Sequence, residues 1–355
     1  MDGHTPIPAT MKAVVVQKGK KAVVQDHPVP TLGDDDILVK VVAVAQNPAD
    51  WRFVDVVQNA GTVLGCDWSG HVVQQGKNVT FPELGMHVAG FAMGGTYVDG
   101  GAYSEYVKTP AVLAWIVPEG TLSHEQAATV SVGLFTAVQC LYHPQRLALV
   151  EPPEKADGTE WVFVHGGSSS VGQYTIQLAR LSGYKVVTTA SPKNFDLVKA
   201  LGADAVYDYK SADVVDAIKK VTENGVRYAV DTQSTKETQE LCARCMGANG
   251  GKLILMFPPT FKAKKLRKDV EFIHTLLYTA FGRPFSLGPQ AKYAVQPNDK
   301  AQIAAFMKKM PQLLRDDCIV TNRIKLWEGG LQAIPEGLQY MREGKVSAEK
   351  IVYHL

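Results

Sequence analysis

Residues 161–180, WVFVHGGSSSVGQYTIQLAR, carry the residue types of a phosphate cradle: a short apolar run, then two glycines and three serines, then an apolar helical period. Gly166 and Gly167 permit a sharp turn and close approach of backbone to ligand, Ser168, Ser169 and Ser170 offer small hydroxyl donors, and Gly172 lets a helix pack tightly on the strand. A helix that starts at this turn directs unpaired N–H groups and the positive end of its dipole at an anion. Many loops contain two glycines. The strand before and the helix after make this one a predicted dinucleotide site, with Gly167, Ser168, Ser169, Ser170 and Val171 against the pyrophosphate.

Such a turn has to be held by a sheet. Strands are expected at 161–165, 185–190, 205–207, 228–231 and 252–257, with helices near 170–182, 193–201, 211–223 and 235–246, which is the spacing of βαβ units. Right-handed crossovers then require a parallel, doubly wound sheet covered on both faces, with ligand at the carboxyl ends of its strands. The first part of the chain has a different texture. Gly, Pro and Asp punctuate short β runs at 11–24, 37–45, 71–74, 87–91 and 103–107, as in a small β-rich domain. Ser123 with Gln126 has capping-box spacing, a longer helix follows at 132–141, and the junction is expected near there. An apolar run at 270–277, a helix at 301–314, another at 331–341 and a strand at 350–355 complete the chain, the tail returning to the first domain. The expected division is 1–125 with 301–355, and 126–300.

Composition limits the function classes. With 37 Lys and Arg against 35 Asp and Glu, the net charge of +2 gives no electrostatic drive toward nucleic acid or a membrane surface. The basic run 262–268 reads as a solvated loop. No apolar stretch reaches the roughly 18 residues that span a bilayer. MDGHTPIPAT lacks the basic and apolar regions of a signal peptide, so a cytoplasmic location is expected. The five scattered cysteines are no disulfide framework, and the CxxC of Cys242 and Cys245 lies within a helical pattern, so reduced thiols are expected.

NPAD (47–50), LGCDWSG (64–70), GAYSEYV (101–107), GLFTAVQCL (133–141), HGGSSSVGQ (165–173), LGADAVYDY (201–209), GGKLILM (250–256) and GKVSAEKIV (344–352) together resemble the medium-chain dehydrogenase/reductase superfamily, in its zinc-free quinone oxidoreductase and enoyl reductase branch. SPKNFDL and GKVSxEK are wording shared with the fungal trans-acting enoyl reductases that partner polyketide synthases. The resemblance implies an α/β protein with a GroES-like β-rich catalytic domain and a Rossmann cofactor domain. Where zinc-dependent members carry their ligands, this chain has Gln46, Asn47, Cys66 and Asp67, and no cysteine between Gly85 and Gly101. No metal is expected, since a zinc site needs three or four converging ligands. His71 and His87 read as packed or surface histidines.

For the cofactor, NAD-specific enzymes put an acid about 20 residues past the glycine turn to bind the ribose 2′-OH. Here Ser191, Lys193 and Asn194 stand there. A hydroxyl and an ammonium can bind a 2′-phosphate that an acid would repel, which favours NADPH. Lys193 is equally consistent with a solvated lysine at a helix start. The resemblance further implies cofactor contacts from Asn47, Pro48, Asp50, Thr136, Tyr209, Met256, Phe257, Val346 and Ser347, with Asn47, Arg52 and Thr136 as catalytic candidates.

Without metal, an activated C=C bond suits the site better than an isolated ketone, because hydride addition at the β-carbon needs only donors for an enolate and a later proton. Tyr278, Tyr97 or water could supply that proton. The expectation is an NADPH-dependent enoyl reductase acting on a substrate that is free or tethered to a carrier protein of a polyketide synthase. A detoxifying quinone or enal reductase, or a silent nucleotide-binding protein of the same fold, stays open.

Overall fold

The computed structural model describes residues 6–288 and 291–355. Its second region is a six-stranded parallel sheet in the spatial order Ala205–Asp208, Lys185–Ala190, Trp161–His165, Tyr228–Asp231, Gly251–Leu255, Val270–His274. The order reverses at the strand that feeds the Gly/Ser turn, which opens the crevice there. Helices Ser170–Leu181, Val214–Val221 and Lys236–Cys245 cover the sheet. On one side Phe163, Val187, Ile218, Cys242 and Leu253 form a closed apolar cluster, and Cys242 and Cys245 are buried free thiols within it.

The other region is a mostly antiparallel sheet in the order Arg323–Leu326, Glu349–His354, Asp36–Ala45, Asp67–Gln75, His87–Phe91, Ala114–Ile116, with Tyr106–Pro110 also paired to Asp36–Ala45. The tail returns as expected, Val352 opposite Ala45. A separate hairpin joins Thr10–Gln17 to Lys21–Pro28. Helix Ser131–Tyr142 lies between the two sheets and is buried along nearly its whole length. Through it, Trp68 and Phe91 of one sheet and Val164 and Ile254 of the other share one continuous core.

Several boundaries differ from the sequence expectation. The run at 103–107 joins the sheet only from Tyr106, because Tyr103 donates its N–H to Leu64 and accepts from Val14 instead. The helix expected at 301–314 is two, Pro297–Met307 and Met310–Arg315, since Pro311 lacks the N–H that would continue the first. The strand expected at 252–257 ends at Leu255, and the Met256 N–H turns to Ser234 Oγ at 2.8 Å. The basic run is not a loop: Thr260 accepts from Ala263 N and caps the helix Phe261–Leu266. Ser123 and Gln126 form the capping box that their spacing predicts.

Candidate active site

The Gly/Ser turn is shaped by contacts that exclude side chains. Gly166 has a φ of +76°, favoured by glycine. A Cβ on Gly167 would sit 2.1 Å from Thr188 Oγ1, and one on Gly172 2.3 Å from the carbonyl oxygen of Gly166. Ser169 caps the helix, accepting from Gly172 N at 3.0 Å and donating to Thr232 Oγ1 at 2.9 Å. Ser170 donates to Asn322 Oδ1 at 2.6 Å, which ties the turn to the segment before Arg323–Leu326. The Ser168 carbonyl accepts from Gln173 Nε2, and Ser168 and Val171 remain half-buried at the mouth of the turn. A pyrophosphate fits such a turn of small residues at a helix N-terminus.

Past the second strand, Ser191 is half-buried, Lys193 exposed and Asn194 buried. Asn194 Nδ2 reaches Ser347 Oγ at 3.4 Å, so two candidates 153 residues apart meet, with Val346 beside them. Tyr209 stands edge-on to His165 at 6.3 Å, and Lys210 lies over its ring. Met256 and Phe257 follow the fifth strand. The Arg52 guanidinium stacks 4.7 Å over the Phe257 ring and 5.2 Å over Trp51, joining the helix Pro48–Arg52 to the parallel sheet. Thr136 is nearly buried on the intervening helix.

Under the helix Pro48–Arg52 lies a polar centre that sequence reasoning left incomplete. Asn47 donates through Nδ2 to Asp67 Oδ2 at 2.8 Å and accepts from Lys350 Nζ at 3.1 Å. Lys350 also pairs with Asp67, both side chains being almost wholly buried, and Asp67 Oδ1 accepts from Val132 N at 2.7 Å. Gln46 is engaged elsewhere, by Tyr353 Oη and the Gly337 carbonyl. Lys350 was not among the expected site residues. The signal was available, a lone ammonium in an apolar strand, since such a charge is buried only with a partner.

Asp50 accepts from Asn47 N and from Tyr103 Oη, each at 2.7 Å, through Oδ2. Its Oδ1 has no partner among the described residues. Burial, only partly offset by those donors, pushes its carboxyl from 3.8 up to about 6. The folded value exceeds the unfolded one, so its contribution is fully present at low pH and is lost as pH rises through about 6. An Asp50→Asn variant should therefore gain stability relative to the parent between pH 4 and 7, by up to about 3 kcal/mol. Denaturation midpoints of the two proteins compared across that range provide the check; a constant difference would refute it.

His71 is exposed and His87 half-buried, and the two cluster with His124. Ser69 Oγ lies 2.8 Å from His87 Nε2 and 2.9 Å from His124 Nδ1, and His124 Nε2 is 3.1 Å from His71 Nε2. Among the described residues, no group of three or more His, Cys, Asp or Glu side chains is arranged to hold a metal ion.

Comparison with known proteins decides the family. Residues 33–119 match the alcohol dehydrogenase GroES-like domain and residues 170–266 the zinc-binding dehydrogenase family. The trans-enoyl reductase ACTTS2 of Alternaria alternata is 37% identical over 351 residues, covering 98% of this chain and 99% of that one. The chain belongs to the medium-chain dehydrogenase/reductase superfamily. A zinc-type alcohol dehydrogenase-like protein of Schizosaccharomyces pombe is also 37% identical, over 97% of this chain and all of its own. The CurK enoyl reductase structure superposes with a TM-score of 0.76 at 18% identity, covering 98% and 99% of the two chains, and so shares the fold. A medium-chain dehydrogenase/reductase of this kind is an oxidoreductase that uses a nicotinamide cofactor.

Proposed function

We propose that this medium-chain dehydrogenase/reductase reduces an activated C=C bond, that of an enoyl thioester, at the expense of NADPH and without zinc. The observation that carries the reading is a Gly/Ser turn at a helix N-terminus together with a buried polar centre, Asn47, Asp67 and Lys350, that is closed on itself by hydrogen bonds. Among the described residues it leaves no ligand set for a Lewis acid. Relatives named trans-enoyl reductases support the same reading. In it, residues 1–125 and 301–355 form the catalytic domain and 126–300 the cofactor domain.

A bound reduced nicotinamide would supply the hydride for the β-carbon. The chain's own part is to orient and to stabilise. Gly167, Ser168, Ser169, Ser170 and Val171 hold the pyrophosphate, Tyr209 flanks the adenosine end, and Asn194, Val346 and Ser347 close over the crevice. Asn47, Pro48, Asp50, Thr136, Met256 and Phe257 border the nicotinamide pocket. Arg52, held between Trp51 and Phe257, presents a guanidinium to the charge that develops on the thioester oxygen, with Asn47 and Thr136 as polar neighbours.

Ser191 and Lys193 favour the 2′-phosphate, so NADPH should bind more tightly than NADH, and Ser191→Asp should weaken NADPH by roughly 1–3 kcal/mol. Titration of nucleotide fluorescence measures both; equal affinities in the parent would refute the assignment. Chelator treatment should leave the activity intact.

The test of substrate class is kinetic. Enoyl thioesters of growing length, free and attached to a carrier protein, should show rising kcat/KM, because each well-buried methylene contributes up to about 0.8 kcal/mol. Comparable turnover of small quinones with no response to acyl length would turn the reading to a detoxifying quinone or enal reductase. NADPH binding with no turnover of either would make it a silent binder. A polyketide synthase as the source of the tethered substrate belongs to the same proposal, as does a cytoplasmic location. No helix among the described residues is long and apolar enough to cross a membrane.

A further inference from the structure

We propose that Tyr278 delivers the proton that completes the reduction at the α-carbon, and that Cys66 and Asp50 behind it return that proton; this rests on the C=C reductase reading above. Tyr278 lies on the 3-10 turn Leu277–Phe281, just past the last strand of the parallel sheet. Its Oη reaches across to Cys66 Sγ in the other region, at 3.1 Å. The contact thus spans the two lobes beneath the helix Pro48–Arg52. Phe53 and Phe285 flank the ring at 5.9 and 6.4 Å, which keeps bulk water from competing for the proton. Tyr97, the other tyrosine that the sequence offers, is committed elsewhere: its Oη donates to the Pro284 carbonyl at 2.7 Å under the Arg283 guanidinium.

Behind Cys66 the unpartnered oxygen of Asp50 is the independent observation. A buried carboxyl with one oxygen saturated and the other bare is costly as an anion and comfortable as an acid. The groups facing it are the Asn47 N–H from its own helix, the Tyr103 hydroxyl, the Cys66 thiol, and at greater distance Asp67 with its Lys350 counterion and the Tyr353 ring. Cys66 and Tyr278 are both driven toward their neutral forms by burial. Cys66 and Tyr278 therefore rest with their protons on, and Asp50 holds its own below a pH of about 6.

The step balances. With the β-carbon reduced by the nicotinamide, the former C=C pair lies on the enolate. The Tyr278 O–H bond breaks as the α-carbon–hydrogen bond forms. The tyrosinate takes the Cys66 S–H proton while sulfur takes that of Asp50, and the carboxylate recovers a proton from water after product leaves. The sum is enoyl thioester, NADPH and one proton giving saturated thioester and NADP⁺.

A thioester with an α-methyl branch, the N-acetylcysteamine ester of trans-2-methylbut-2-enoic acid, makes the protonated carbon a stereocentre. The parent should give one α-epimer. Tyr278→Phe should lower kcat roughly 100-fold or more, leave the KM for NADPH and thioester within about threefold, and give both epimers as water takes over. Unchanged kcat with a single epimer would overturn the assignment of Tyr278. In the cofactor-free protein, carboxyl ¹³C titration should find Asp50 near 6. That midpoint should shift in both Cys66→Ala and Tyr278→Phe; immobility in both would overturn the relay. The titration separates the two readings, because a parent that reduces no thioester defeats the proposed function, whereas the titration still decides whether the three groups share a proton.

Discussion

Replacing Lys350 by methionine is expected to cost about 3–5 kcal/mol of stability. The stem volume is kept and only the ammonium is lost. Asp67 would then hold a buried negative charge with just two hydrogen bonds, from Asn47 Nδ2 and Val132 N. The pair itself contributes little net stability, because desolvating two charges offsets much of their attraction. Breaking it is what costs. Adding Asp67→Asn to Lys350→Met should therefore restore much of the loss, since the amide oxygen can still accept from Val132 N. Chemical denaturation of the parent, both single variants and the double variant measures the coupling. A Lys350→Met protein within about 1 kcal/mol of the parent would show that the ammonium is solvated.

The second large effect concerns the cradle. A valine at 172 would press on the Gly166 carbonyl and the Gly167 Cα, against which even a bare Cβ comes to 2.3 and 2.8 Å. Neither can retreat, as Gly167 is itself wedged on Thr188. The turn must open, and at least two charge-assisted contacts to a pyrophosphate go with it, each worth about 1.5–3 kcal/mol. NADPH affinity should fall at least about 100-fold, read by nucleotide titration. Wild-type affinity in Gly172→Val would mean that the phosphates bind elsewhere.

The parallel sheet was legible because its signals are local. Strand, turn and helix at 161–181 follow one another in the chain, and the observed limits agree within a residue. The polar centre was not, for the opposite reason. Asn47, Asp67 and Lys350 are up to 303 residues apart, and only the antiparallel pairing of Glu349–His354 with Asp36–Ala45 carries the ammonium to the carboxylate. Asn322, which steadies Ser170, and Thr232, which steadies Ser169, likewise have no neighbour in sequence to announce them. The histidines illustrate the intermediate case: His71 and His87 could be assigned to packed or surface positions, yet their assembly with His124 depends on Ser69 bridging His87 and His124. Tyr278 and Tyr97 were equal candidates as letters, and only their partners distinguish them.

The separation of Asp67 from Lys350 also has a meaning in time. A chain emerging from the ribosome exposes the carboxylate first, and 283 residues must follow before its counterion exists. At about 5–20 residues per second that is a delay of roughly 15–60 s. During it the strand Asp67–Gln75 cannot bury its acid against the neighbouring helix without a partner, so the Rossmann sheet, whose strands all lie within 161–274, should mature while the earlier-made sheet waits. Synthesis order and folding order are thus inverted, and the nascent β-rich half is the part most in need of a chaperone.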